Sequence, residues 1–181
     1  IPIKNGVRQA DTISPMLFTA CLQEVFRTLD WEQVGVRVNG EYLSNLRFAD
    51  DIALLSNSGD ELQSMLTALD EQSRTVGLKI NMQKTKVIVN NLGKAQRFEI
   101  GGEAVEVVNE YVYLGQVVTP DDEAEIVRRI RMGWSAFGRH SQIMNGGLPL
   151  SLKKKVYDSC ILPVLTYGAE TWRLTKRFNL N

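Results

Sequence analysis

The chain is poor in the residues that most often betray chemistry: two cysteines and one histidine among 181 residues, with no net formal charge. Cys21 and Cys160 lie far apart, and nothing near either has zinc-ligand spacing. Each falls in an apolar helical pattern, so both are expected as reduced core residues in a reducing compartment. His140 lies on a polar helix face and draws no role. No apolar run approaches the ~18 residues of a membrane span, and no secretory signal is present. The first residues already read as the inside of a motif, so a longer parent protein is expected. Internal repeats and low-complexity segments are lacking.

What is present fits a globular protein. The composition is 44% hydrophobic and 23% charged, and the length allows one domain, or one with a small second. Zero net charge hides an asymmetry. Residues 1–122 carry 11 Lys+Arg against 17 Asp+Glu, whereas residues 123–181 carry 10 against 4. A polyanionic partner for the basic part is one reading; a solvated helical face is the other.

"ISPMLFTACLQEVFRTLD" predicts a helix, with Ser14 as N-cap and Pro15 at the first helical position. Phe18, Cys21, Leu22, Val25, Phe26 and Leu29 follow helical spacing. "VGVRVNGEYLS" predicts a hairpin turning at Asn39-Gly40. A second hairpin is expected over 45–56, with Leu46 and Phe48 alternating on one arm and Ile52 and Leu54 on the other. "SGDELQSMLTALDEQSRTVG" predicts an amphipathic helix with Leu62, Met65, Leu66, Leu69 and Val76 inward, stopped at Gly77. "LKINMQKTKVIV" reads as extended chain around a polar bend, "FEIGGEAVEVV" as a hairpin and "YVYLGQVV" as a strand. After Pro120 the pattern turns helical. Ile126, Ile130, Trp134 and Phe137 are expected on one face, Gly146-Gly147 breaks the helix, and a further helix from Ser151 is interrupted at Pro163. The expected fold class is α+β up to about residue 120, then a small helical part.

In "NLRFADDIALLS", Asp50 and Asp51 interrupt a run that otherwise reads as a buried strand. Burying two adjacent ionised carboxylates is costly. Either the pair sits at a solvated turn or a cation sits on it. Successive strand residues point to opposite faces, so the two can act together only if the backbone turns beside them. A tight hairpin does that. Magnesium is commonly held by one or two carboxylates plus substrate phosphates, and two such ions assist phosphoryl transfer. Small Ala49 leaves room for a backbone or primer to approach.

"GVRQADTISPMLF", "FADD", "GLKINMQKTKV" and "YVYLGQ" follow one another in an order that resembles the reverse transcriptases of LINE-type (non-LTR) retrotransposons. "ILPVLTYGAETW" resembles a thumb-side helix of the same elements. The resemblance implies a polymerase palm-type antiparallel sheet with packed helices over residues 1–120, followed by a basic, helical thumb-like part over 121–181. It implies two-metal nucleotidyl transfer from a dNTP to a primer 3′-hydroxyl, with Mg²⁺ (Mn²⁺ possible) as cofactor and an RNA template and DNA primer as partners. By the same resemblance Asp50 is the ligand of both metal ions and Asp51 an accessory ligand. Arg8, Gln9 and Ala10 lie near template and nucleotide, and Lys84 near the triphosphate. "YLG" at Tyr113–Gly115 resembles the primer-grip region, with Tyr113 and Leu114 themselves read as core rather than as primer contacts. Arg128, Arg129, Arg131, Lys153, Lys154 and Lys155 are the candidates for nucleic-acid backbone contact.

Two departures from the pattern matter. The family's other catalytic carboxylate lies on a strand upstream of the "GVRQ" loop, and that strand, the fingers and the endonuclease region are expected to be missing from this chain. "QAD" also stands where the family usually has "QGD", so Ala10 replaces a glycine that allows close backbone approach. The alternative to a polymerase is therefore a catalytically inactive retroelement remnant that at most binds nucleic acid. A group II intron maturase or telomerase is disfavoured by the "YLG" and "YGAETW" stretches.

Overall fold

The structure, a computed structural model, describes residues 12–90, 97–119 and 124–172. Arg8, Gln9 and Ala10 lie outside the described residues. The architecture is α+β, divided into two compact units between Val108 and Asn109.

The first unit opens with helix α1 (Ser14–Thr28). Ile13, not Ser14, is its N-cap, and no side chain caps it; Ser14 is already helical and Pro15 occupies the first turn. Only Leu22 and Val25 are buried on α1, so its inward face is narrower than the apolar pattern and Cys21 falls outside it, exposed. Hairpin β1 (Val36–Val38) and β2 (Glu41–Leu43) turns at Asn39-Gly40, both at positive φ, as a two-residue type I′ loop requires. Hairpin β3 (Asn45–Phe48) and β4 (Asp51–Leu54) follows.

Helix α2 (Gly59–Thr75) has both of its ends specified locally. Ser58 accepts from the Glu61 N–H at 3.2 Å, while the Glu61 carboxylate accepts from the Asn57 N–H at 3.3 Å, a variant of the capping box. At the other end Gly77 has φ +78°, its N–H bonds Arg74 O and the Leu78 N–H bonds Ser73 O, the two bonds of a Schellman motif. Val76, expected inward, is left exposed at that end.

Strands β5 (Lys86–Ile88), β6 (Phe98–Ile100) and β7 (Glu103–Val108) form a sheet in the order β5-β7-β6. β6 and β7 are antiparallel about Gly101-Gly102, but β5 runs parallel to β7. The sheet is therefore mixed, and the described strands form several small sheets instead of one antiparallel one. Leu66 of α2 packs with Val87, Phe98, Ile100 and Val105 of this sheet to make the core. Gln63 of α2 bonds both the N–H and the C=O of Glu99, which occupies an otherwise open strand edge.

In the second unit "YVYLGQVV" is not one strand but hairpin β8 (Tyr111–Tyr113) and β9 (Gln116–Val118), turning at Leu114-Gly115. Helix α3 (Ala124–Arg139) and short α4 (Ser141–Asn145) follow. Helix α5 (Leu150–Val156), a π-helical turn (Tyr157–Ile161) and α6 (Leu162–Thr166) form one run. Pro163 has no N–H to give to the preceding turn, and the widened turn just before it accommodates this. The widening leaves Ile161 buried and Cys160 exposed, again against the expectation for the cysteine. The turn to helix after residue 120 and the division into units are thus two different boundaries, since β8 and β9 belong with the helices.

Candidate functional site

The register of β3 and β4 pairs Phe48 with Asp51 and Leu46 with Ala53, leaving Ala49 and Asp50 as a two-residue turn. Both carboxylates are exposed at the tip of this hairpin. Paired residues share a face, so Asp51 stands on the side of Leu46 and Phe48, while Arg47, Ile52 and Leu54 occupy the other. Phe48 is 64% exposed; the apolar residues of the two arms do not form one buried face. Below the tip, the Arg47 guanidinium lies 4.4 Å over the Phe26 ring, which meets Trp31 edge-on at 5.7 Å. Such a cation–π stack fixes the hairpin on α1. Ala49 is held at φ +53°, a left-handed conformation that costs a non-glycine residue about 1–2 kcal/mol. Strain of this kind is commonly stored at functional sites.

Two adjacent exposed carboxylates suit a magnesium ion that takes its remaining ligands from water and substrate phosphate. Among the described residues no third Asp, Glu, His or Cys joins them in a metal-holding group. Lys84 is exposed on a separate turn, where its N–H bonds Asn81 Oδ1 at 3.2 Å.

The basic residues divide. Arg131, Lys154 and Lys155 are exposed and Lys153 half-buried. Arg129 was expected to reach phosphate, but it is only 5% exposed. Its Nε donates to Glu125 Oε1 at 2.5 Å, its Nη2 donates to the Gly115 carbonyl, and its guanidinium lies 4.5 Å over the Tyr167 ring. Arg128, half-buried, joins Glu125 at 3.1 Å and the Gly115 carbonyl at 3.1 Å. Glu125 Oε2 also accepts from the Val117 N–H at 2.8 Å. Burial works to raise the Glu125 pKa. The Arg129 hydrogen bond, the Val117 N–H and the charges of Arg129 and Arg128 outweigh it, so the pKa lies below the ordinary glutamate value.

This pair also explains why the apolar face expected on α3 is only in part its inward one: Ile126 is buried, but Ile130 and Trp134 are exposed. Glu125, Ile126, Arg129, Gly133 and Ala136 are buried, whereas Trp134 is 65% exposed. Small Gly133 admits α6: a Cβ there would lie 3.2 Å from Leu165.

The sequence reading missed that "YLGQ" and "TYGAET" form one joint. Tyr167 Oη donates to the Leu114 carbonyl at 2.9 Å, and Thr171 Oγ1 donates to Gln116 Oε1 at 2.8 Å. A Cβ on Gly168 would fall 1.7 Å from Gln116 Nε2, and one on Gly115 3.3 Å from the Tyr167 ring. The available signals were the paired glycines and the i,i+4 Glu125–Arg129 spacing; nothing local connects segments so far apart.

Residues 1–118 match the family described as reverse transcriptase (RNA-dependent DNA polymerase). The chain therefore belongs to the reverse transcriptase family. Its relatives place it with the LINE-type retrotransposon members that the motifs resemble. An uncharacterized transposon-derived protein of Caenorhabditis elegans is 37% identical over 147 residues, covering 78% of this chain and 53% of that protein. The Pol polyprotein of a type-1 retrotransposable element R2 from Popillia japonica is 35% identical over 46% of this chain and 14% of its own length. The RNA-directed DNA polymerase from mobile element jockey of Drosophila melanogaster is 24% identical over 99% of this chain and 20% of that protein. The chain thus spans about half of the nematode relative and a smaller share of the other two proteins.

Proposed function

We propose that the chain is the palm, with part of the thumb, of an RNA-directed DNA polymerase that extends a DNA primer on an RNA template. In this reading residues 1–120 belong to the palm and 121–181 to a basic thumb or connection region. The observation that carries the proposal is the Asp50–Asp51 pair, exposed on a two-residue hairpin inside the stretch that matches the family. Asp50 and Asp51 would hold Mg²⁺ or Mn²⁺, which supplies charge neutralisation and lowers the pKa of the attacking hydroxyl. The hairpin fixes both carboxylates relative to α1 through the Arg47–Phe26 stack. Lys84 places a positive charge for the departing pyrophosphate, Arg8 and Gln9 orient template and nucleotide, and Ala10 lines the nucleotide site. The Leu114-Gly115 turn touches the primer end, and Arg131 with Lys153, Lys154 and Lys155 holds phosphates. Rate enhancement then rests on positioning and charge stabilisation.

Titration of the chain with dTTP in the presence of Mn²⁺ tests the proposal. Saturable, metal-dependent binding that is lost in Asp50→Asn with Asp51→Asn is expected; binding unchanged in that double variant contradicts it. The second reading, an inactive remnant, is favoured by Ala10 standing where the family usually has glycine. On that reading the chain alone is not expected to extend oligo(dT) on poly(rA), and extension abolished by Asp50→Asn would overturn this expectation.

A further inference from the structure

Both carbonyls of the Leu114-Gly115 turn accept from side chains distant in sequence, two on α3 and one just past the end of α6. Tyr167 Oη donates to Leu114 O at 2.9 Å, and Arg129 and Arg128 both donate to Gly115 O. Arg129 is in turn gripped by Glu125 and stacked on the Tyr167 ring. The next residue is held too, with Gln116 Oε1 accepting from Thr171 Oγ1 at 2.8 Å. A two-residue hairpin loop commonly leaves such carbonyls to water. Here the loop also carries Leu114 at φ +48°, a conformation in which a bulky side chain is an outlier. Leu114 nonetheless remains 38% exposed at the tip. A strained, apolar, solvent-facing tip gripped from behind by two arginines and a tyrosine exceeds what hairpin closure needs.

We infer that Glu125, Arg129 and Tyr167 are positioning residues that hold the Leu114-Gly115 turn in register to receive a primer end. The "TYGAET" segment is then a brace for the turn. Its work is done through backbone carbonyls, so it needs no contact with nucleic acid. This rests on the reading of the turn as a primer contact proposed above. Gly115 and Gly168 are required at the joint because the Tyr167 ring and the Gln116 amide occupy the space a Cβ would take.

Affinity of the 181-residue chain for two RNA–DNA hybrids of equal length, one with a recessed DNA 3′ end and one blunt, tests the inference by fluorescence anisotropy. The parent chain is expected to prefer the recessed end. Tyr167→Phe deletes one hydrogen bond and keeps the ring, and should cut that preference about fivefold. Affinity for the blunt hybrid should hold. If Tyr167→Phe fails to fold, Thr171→Val, which cuts the Gln116 contact of the same joint, is read in its place. A preference that survives the substitution overturns the brace while leaving the primer reading intact. Equal loss on both hybrids also overturns it, since that marks a merely structural role. A parent chain with no preference overturns the primer reading and the inference together.

Discussion

At Ala49 a residue with a Cβ adopts a backbone conformation that glycine takes freely, and it does so on the turn that carries Asp50. Ala49→Gly relieves that strain but gives the unfolded chain more freedom, so a net gain of about 0.5–1 kcal/mol in unfolding free energy is expected. Ala49→Val should destabilise by more than about 1 kcal/mol, because a β-branched side chain tolerates positive φ least. Urea denaturation of the two variants checks both signs. Glu125 gives a second residue-scale expectation. Its folded pKa lies below the ordinary value. Its charged form therefore contributes stability in full above the unfolded pKa and loses it as pH falls through the folded one. Glu125→Gln should cost on the order of 3 kcal/mol at neutral pH, because Arg129 is left buried without its counter-ion. The same variant should also flatten the acid limb of stability against pH. A parent and variant that lose stability in parallel below pH ~5 would contradict this. The sequence exposed the Asp pair because two adjacent charges cannot sit in a buried strand. It could not expose the burial of Arg129, because an arginine on a basic helix looks the same whether it faces solvent or a glutamate one turn away.

Elements with local end signals were the ones read well. Gly77 stops α2 as expected, and Asn39-Gly40 closes its hairpin. Elements whose shape is set by distant packing were misread. Leu114-Gly115 is not a recognisable turn pair, so β8 and β9 read as one strand, whereas they pair as a hairpin whose turn Tyr167 and Arg129 hold. On α3 the expected apolar face holds at Ile126 but not at Ile130 or Trp134, while Gly133, beside Leu165 of α6, and Ala136 are buried. At this scale Gly168→Ala is the informative change. It places a methyl on the Gln116 amide at φ +72°, so either the Gln116–Thr171 bond breaks or the loop shifts. A loss of about 2–3 kcal/mol is expected by thermal denaturation. Gly147→Ala, where a Cβ meets nothing within 4 Å, should stay within about 0.5 kcal/mol.

For the whole molecule, charge is distributed as a polyanion binder would have it, with the excess of Lys and Arg after residue 122. No helix among the described residues is long and apolar enough to cross a membrane. With Arg128 and Arg129 both drawn into the joint, about four phosphate contacts remain available from Arg131 and Lys153–Lys155. Binding to duplex nucleic acid should then weaken with a log–log salt slope of roughly −3.6. Arg131→Ala with Lys154→Ala should flatten that slope by roughly 1.8. A slope unmoved by the double substitution would place the contacts elsewhere. Family membership was legible because several weak motifs kept their order along the chain. Nothing local in the sequence says what would join the Asp pair, and among the described residues no third Asp, Glu, His or Cys does.

The most direct measurement is primer extension on poly(rA)·oligo(dT) by a jockey-type polymerase in which this chain replaces the matching stretch, an alignment that covers 99% of it. The replacement is made with Ala10 and, in parallel, with Ala10→Gly, which should raise kcat/KM for the nucleotide by roughly tenfold if a glycine is needed for close approach. In the more active of the two, Asp50→Asn should lower extension by at least ~10³-fold, the scale expected when a metal-holding carboxylate is removed. Extension that continues in Asp50→Asn within about twofold of its parent would contradict the assignment of this hairpin as the catalytic carboxylate site.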